Sequence, residues 1–228
     1  MFLAFLLLLA GSCAASVIDG TVVIKRKLTR SRVTTSANTY QRGTAVPVGP
    51  ADLNGGLGAE YRRVVVYLEG ALPQAEPTTA VLEQKNRQFL PEAVVIPVGS
   101  SVSFPNLDPI FHNVFSLSKS KAFDLGNYPQ GQTRLVTFSR PGVVFVNCHL
   151  HPNMAAAIVV TPNAWFARLD GAGKFQIPQV PAGSYTVVAW HKAAGFFHQK
   201  VAVGVDGRVA VDFFIPLEDT GKVAVAQH

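Results

Sequence analysis

The chain has 228 residues, a formal net charge of +6 and 48% hydrophobic residues, but only 15% charged residues. This length fits one large or two small domains, and the composition excludes a disordered chain. Short apolar runs separated by Pro and Gly, without a long segment of helical periodicity, predict an all-β fold.

The first ten residues, MFLAFLLLLA, are almost wholly apolar and precede the small residues GSCAAS. The run is too short to span a bilayer and predicts a signal peptide over residues 1–15, although no Lys or Arg comes before it. We therefore expect export, to the periplasm or another compartment outside the cytoplasm. Because Cys13 follows Ala-Gly-Ser, a lipoprotein with its lipid on Cys13 is the alternative to soluble export.

Five basic residues lie within eight positions of one another: Lys25, Arg26, Lys27, Arg30 and Arg32. A solvated basic loop is the plain interpretation. The alternative is an electrostatic patch for an acidic partner protein or for weak association with anionic lipid head groups. Nucleic acid is not an expected partner, because export argues against it and the chain has no nucleic-acid motif.

The first half of the chain contains two clear strand signals. Val17 to Ile24 predicts a strand, residues 28–61 have the Gly, Pro, Ser and Thr content of a loop, and Arg62 to Gly70 predicts a buried strand. Residues 73–161 then alternate short apolar runs with Pro and Gly, which indicates a sandwich or barrel of short strands.

The last part of that region carries residues suited to one metal ion. A copper site for electron transfer uses one thiolate, two imidazoles and a weak thioether. Cys148, His151 and Met154 lie in NCHLHPNM, on one tight turn between two predicted strands, and His112 in PIFHNVFS supplies the second imidazole. A thiol without an intrachain partner in an oxidising compartment also favours ligation over an inert buried Cys. Zinc is the alternative ion for such a set.

Two segments, Ser101 to Val114 (SVSFPNLDPIFHNV) and Pro141 to Met154 (PGVVFVNCHLHPNM), resemble the cupredoxin family, and within it the amicyanin and plastocyanin group. The resemblance covers about residues 80–161. It implies a cupredoxin-like Greek-key sandwich that holds one copper ion.

By the same resemblance, His112, Cys148 and His151 are the strong ligands and Met154 is the weak axial ligand. Asn113 is implied to form hydrogen bonds near the Cys loop and to make that loop rigid.

Three other histidines are not assigned to the metal. His149 is next to Cys148, and we expect its side chain to point away from the ion. His191 and His198 are interpreted as structural or surface residues. The chain departs from many cupredoxins in having Asn147, not an aromatic residue, directly before the Cys.

Residues 162–217 predict hairpins around DGAG, PAG and VDG turns, and residues 218–228 predict a tail. Asp170 to His191 resembles the carboxypeptidase regulatory-like, or transthyretin-like, β-sandwich, whose early strands have counterparts in IDGTVV and VVVYLEG. We therefore predict a split sandwich of residues 16–70 and 162–217, with the cupredoxin-like domain, residues 73–161, inserted in it. A tandem arrangement is the alternative. Chains of this two-part kind resemble methylamine-utilisation proteins.

The predicted function is that of an exported mononuclear type 1 copper protein in electron transfer, with redox partner proteins docking near His151. Copper delivery or storage is an alternative, although such proteins often use several Met ligands and this chain has two Met. A structural interaction module without a redox role is another. We expect no enzymatic activity from this chain alone, because the sequence offers no second ligand set.

Overall fold

The computed structural model describes residues 16–26, 28 and 57–215. The predictions for the signal segment, for Cys13, for most of the basic stretch and for the C-terminal tail lie outside these residues. The described residues contain 18 strands and one five-residue helix, α1 (Leu57–Tyr61). The predicted all-β fold class is confirmed. Across the described ranges, no helix has the length and apolar character needed to cross a membrane.

The strands, in chain order, are β1 (Ser16–Ile24), β2 (Val64–Glu69), β3 (Thr79–Val81), β4 (Glu83–Lys85), β5 (Gln88–Leu90), β6 (Ala93–Pro97), β7 (Ser101–Pro105), β8 (His112–Ser118), β9 (Lys121–Tyr128), β10 (Thr133–Thr137), β11 (Gly142–Asn147), β12 (Ala155–Thr161), β13 (Phe166–Arg168), β14 (Lys174–Val180), β15 (Gly183–His191), β16 (Gly195–Val203), β17 (Arg208–Ala210) and β18 (Phe213–Ile215). Helix α1 falls inside the predicted loop of residues 28–61; it is too short to show helical periodicity in a sequence.

Four main sheets stack as layers. Sheet I has the order β14-β1-β17, with β18 also paired to β1, and sheet II has the order β13-β2-β15-β16. Sheet III has the order β6-β12-β11-β8-β9, and sheet IV has the order β10-β7-β3. Strands β4 and β5 form a separate hairpin.

Sheets I and II enclose one hydrophobic core. It is built from alternate residues of strands far apart in the sequence, such as Ile18 of β1, Val66 of β2, Val187 of β15 and Phe213 of β18. Strand β1 is the hub of sheet I, since it pairs antiparallel with β14 and parallel with β17 and β18. The early strands therefore find their partners in the C-terminal part of the chain.

Sheets III and IV enclose a second core, which contains Phe104, Val114, Val146 and Ile158 together with the candidate ligand Cys148. All strands of this sandwich come from residues 79–161. A division into a split sandwich and an inserted one is our interpretation of these pairings, and the resemblance of the split sandwich to the carboxypeptidase regulatory-like module stays a prediction.

A third apolar cluster fills the space between sheets II and III. Its buried members alternate in sequence with residues of the two cores, and they are Val65, Tyr67, Ala157, Val159, Val188 and Trp190. Strands β2, β12 and β15 are thus covered on both faces. That explains why β2, β12 and the second half of β15 are nearly continuous apolar runs and do not alternate with polar residues. Burial of each of these Val side chains stabilises the packed layers by about 1.5–3 kcal/mol.

Candidate metal centre

Three of the four predicted ligands, His112, Cys148 and His151, meet at one end of sheet III. His112 is the first residue of β8, and Cys148 follows the last residue of β11 directly. Since β8 runs antiparallel to β11, the start of one strand lies beside the end of the other. His151 and Met154 lie in the turn that leads from Cys148 into β12. The sheet pairing therefore joins a His that is 36 positions from the Cys to the local Cys loop.

Three donor atoms converge on one point. Nδ1 of His112 lies 3.1 Å from Nδ1 of His151, and Sγ of Cys148 lies 4.0 Å and 3.8 Å from these two nitrogens. Metal bonds of about 2.0 Å to nitrogen and about 2.3 Å to sulfur put trigonal donors roughly 3.5–3.8 Å apart. The observed separations bracket this range, so the three residues fit one metal ion.

Two of the three donor residues are buried and the third is half-buried. His112 has no exposed surface, Cys148 is 4% exposed and His151 is half-buried. Burial and the neighbouring His112 lower the pKa of His151, which keeps its imidazole neutral near neutral pH. A neutral imidazole has the free lone pair that a metal needs.

Met154 is buried in the core that also contains Cys148. Its backbone N–H donates to the carbonyl oxygen of His151 at 2.9 Å, which closes the turn between the two predicted ligands. The side chain is 1% exposed.

Asn113 ties three segments together around the thiol. Its backbone N–H donates to Sγ of Cys148 at 3.4 Å, and its side-chain nitrogen donates to Asp124 on β9 at 2.7 Å. Its side-chain oxygen accepts the backbone N–H of His149 at 3.5 Å. These contacts agree with the hydrogen-bonding role expected for Asn113.

His149 points away from the three donors. Its ring stacks on Phe115, with centroids 3.7 Å apart and planes 4° from parallel. Its Nε2 lies 3.6 Å from a carboxylate oxygen of Asp124. His149 is absent from the group of ligand atoms that meet within 4.8 Å, which contains His112, Cys148 and His151.

Asp108 is a site residue that the sequence did not reveal. Its Oδ2 accepts a hydrogen bond from Nε2 of His112 at 2.8 Å. Burial opposes ionisation of this carboxyl group, but hydrogen bonds from Arg87, His112 and Asn86 outweigh that effect and hold its pKa below the ordinary value. The other two donors to this carboxylate, the backbone N–H groups of Asn86 and Arg87, lie about twenty residues upstream, so no local motif marks Asp108.

Solved structures of cupredoxins match part of this chain. A copper-containing nitrite reductase from Thermus scotoductus SA-01 is 24% identical over 41% of this chain and 25% of its own, with a TM-score of 0.35. A purple cupredoxin from Nitrosopumilus maritimus is 23% identical over 36% of this chain and 99% of its own, with a TM-score of 0.33. A reduced mutant of amicyanin is 20% identical over 42% of this chain and 97% of its own, with a TM-score of 0.35.

These cupredoxin matches leave more than half of the chain uncovered, and the chain spans only a quarter of the nitrite reductase. No protein-family model matches the chain, and no curated protein is similar to it.

Proposed function

We propose that the chain binds one copper ion through His112, Cys148 and His151, with Met154 as a weak axial ligand, and carries electrons between proteins outside the cytoplasm. The observation that supports this most directly is the convergence of one thiol and two imidazole nitrogens at metal-binding separations. When bound, copper supplies a one-electron redox couple, and this donor set suits both of its oxidation states.

The chain's own residues hold the donors in place. Asn113 donates its backbone N–H to Sγ of Cys148, which holds the sulfur in place. The ring of His112 is held by Asp108, and the turn carrying His151 is closed by the backbone N–H of Met154. A site whose ligands move little when the charge changes supports fast electron transfer.

A surface near His151 is the proposed docking place for redox partners. Phe111 and Leu150, the residues directly before the two histidine ligands, are 56% and 46% exposed. Apolar side chains of this kind permit weak, transient contact without a large buried interface. Export and the absence of catalysis by this chain alone remain predictions from the sequence.

The first test is the visible absorption spectrum of the mature protein loaded with Cu(II), beside the variants Cys148→Ser and His149→Gln. We expect an intense visible band in the wild type, from charge transfer between thiolate and copper. The band should be lost in Cys148→Ser and kept in His149→Gln, because the ring of His149 points away from the donors.

A pale protein in all three samples would contradict the proposal and would favour zinc, which the same His2Cys set can bind. Loss of the band in His149→Gln would show that the imidazole next to the Cys is needed. Circular dichroism of each variant separates loss of the ligand from loss of the fold.

A further inference from the structure

The carboxylate of Asp108 is held by three hydrogen bonds inside the protein. Oδ1 accepts the backbone N–H of Asn86 at 2.6 Å, and Oδ2 accepts both the backbone N–H of Arg87 at 2.8 Å and Nε2 of His112 at 2.8 Å. Asp108 is 6% exposed and His112 is fully buried. A carboxylate in such surroundings is fixed in orientation, because each oxygen has a donor it cannot exchange for water.

The two backbone donors come from the tight turn between β4 and β5. Asn86 and Arg87 both have positive φ, 56° and 55°, which is typical of the two-residue turn of a β-hairpin. In this conformation the successive N–H groups point to the same side, toward Asp108. The turn thus holds the Asp108 carboxylate in a fixed position, where it accepts a hydrogen bond from the ring of His112.

The loop that carries Asp108 is also fixed from its other side. Asn106, fully buried, accepts the backbone N–H of Asp108 and donates to the carbonyl oxygens of Ile110 and Tyr128. Contacts with residues other than His112 therefore already hold Asp108 in position. The contact with His112 follows from that position.

We propose that Asp108 is a positioning residue for the metal centre: it fixes the N–H of His112 on Nε2, turns Nδ1 toward the metal, and favours Cu(II) over Cu(I). This inference rests on the copper site proposed above. A metal-ligating His that donates its other ring N–H to a carboxylate has a fixed tautomer and a more basic ligating nitrogen. A negative charge near the ion also stabilises Cu(II), which carries the larger positive charge, more than Cu(I).

The tautomer is tested without any metal. In the metal-free protein, ¹⁵N NMR of the imidazole nitrogens should show the proton of His112 on Nε2. We expect Asp108→Ala to lose this preference and to give a mixture of tautomers, whereas Asp124→Ala should keep it. Asp124 is the matched control because it is a carboxylate at the same end of sheet III that contacts no proposed ligand.

The effect on copper is tested by the reduction potential of Asp108→Asn, which is close to the wild type in shape and so is the safer variant for folding. The ratio of Cu(II) to Cu(I) affinity should fall about tenfold, which is a rise in reduction potential of about 59 mV for a one-electron couple. Asp124→Asn removes the same charge at an exposed position, where solvent screens it, and should produce a clearly smaller rise.

An unchanged His112 tautomer in Asp108→Ala, or equal potentials for Asp108→Asn and Asp124→Asn, would overturn the inference. A wild-type protein that takes up no copper would instead overturn the proposed function, and the metal-free NMR result would still decide whether Asp108 holds His112. The two failures are therefore distinguishable.

Discussion

Met154 fills space in a core and is also the proposed thioether ligand. It is 1% exposed and packs in the core of sheets III and IV beside Cys148. We expect Met154→Leu, which conserves volume, to cost less than about 1.5 kcal/mol of unfolding free energy. The reduction potential of its copper form should rise, because a donor that stabilises Cu(II) is lost.

Urea unfolding of the metal-free protein measures the loss of unfolding free energy in Met154→Leu. Voltammetry of the copper form measures its reduction potential. The companion variant Met154→Ala should lose about 2–5 kcal/mol, since it leaves a cavity. A Leu variant with the wild-type potential and spectrum would show that Met154 is a packing residue only.

Residues that share one loop could be recognised from the sequence, whereas contacts across the fold could not. Because Cys148, His151 and Met154 lie within seven residues of one chain segment, they stay close in space in any fold. A copper site needs a second imidazole, and His112 is the candidate for it. The role of Asp108 depends on the turn at Asn86 and on its two positive φ angles. No pattern in the sequence connects these two segments.

At the scale of the element, β1 depends on the absence of a side chain at Gly20. The strand pairs with β17 up to Asp19 and with β18 from Val22 onward, and Gly20 lies at the change of partner. A Cβ at Gly20 would overlap the carbonyl oxygen of Val211, whose N–H donates to Asp19. Only glycine allows the two backbones to approach this closely.

We therefore expect Gly20→Ala to lower the unfolding free energy by about 1–3 kcal/mol or more, because backbone has to move. Gly204→Ala is the matched control, since a Cβ there meets no atom within 4 Å, and its change should stay within about 0.5 kcal/mol. Urea unfolding curves give both values. Equal stabilities of the two variants would mean that β1 can shift without cost.

The long apolar strands were recognisable from the sequence, and the short polar ones were not. Strands β2 and β12 are runs of Val, Ile, Leu and Ala whose burial on both faces suppresses alternation. Strands β3 and β4 have three residues each and include Thr, Glu, Gln and Lys, so their pairing is decided by tertiary neighbours. The stacking order of the sheets was likewise beyond the sequence, since periodicity does not say which face meets which.

At the scale of the whole molecule, a buried contact between His191 and Glu60 makes stability depend on pH. His191 at the end of β15 and Glu60 of α1 are both fully buried, with His191 Nε2 3.1 Å from a Glu60 oxygen. Burial lowers the pKa of His191. The charge of Glu60 raises this pKa and the charge of Arg63 lowers it, and the net effect is a lower pKa. The folded protein therefore takes up a proton at lower pH than the unfolded chain, whose His titrates near 6.5.

This contribution to stability is fully present above pH of about 6.5 and is lost as the pH falls toward the lower pKa of folded His191. We expect the metal-free wild type to lose more unfolding free energy between pH 7.5 and pH 5.5 than His191→Gln does. His198→Gln, which removes an exposed His from the adjacent strand β16, should lose as much as the wild type. Urea unfolding at the two pH values checks this, and equal losses in all three proteins would contradict it.

The pairing of β1 with the C-terminal strands has a consequence for how the polypeptide acquires its structure during synthesis. Thr21 and Asp212, which form a hydrogen bond across sheet I, are 191 positions apart. At a ribosomal rate of about 5–20 residues per second, the C-terminal partners of β1 are synthesised on the order of ten seconds or longer after β1 itself. The strands of residues 79–161 find theirs much earlier. The sandwich of residues 79–161 should then fold first, while a strand rich in Val and Ile stays unpaired and vulnerable to aggregation.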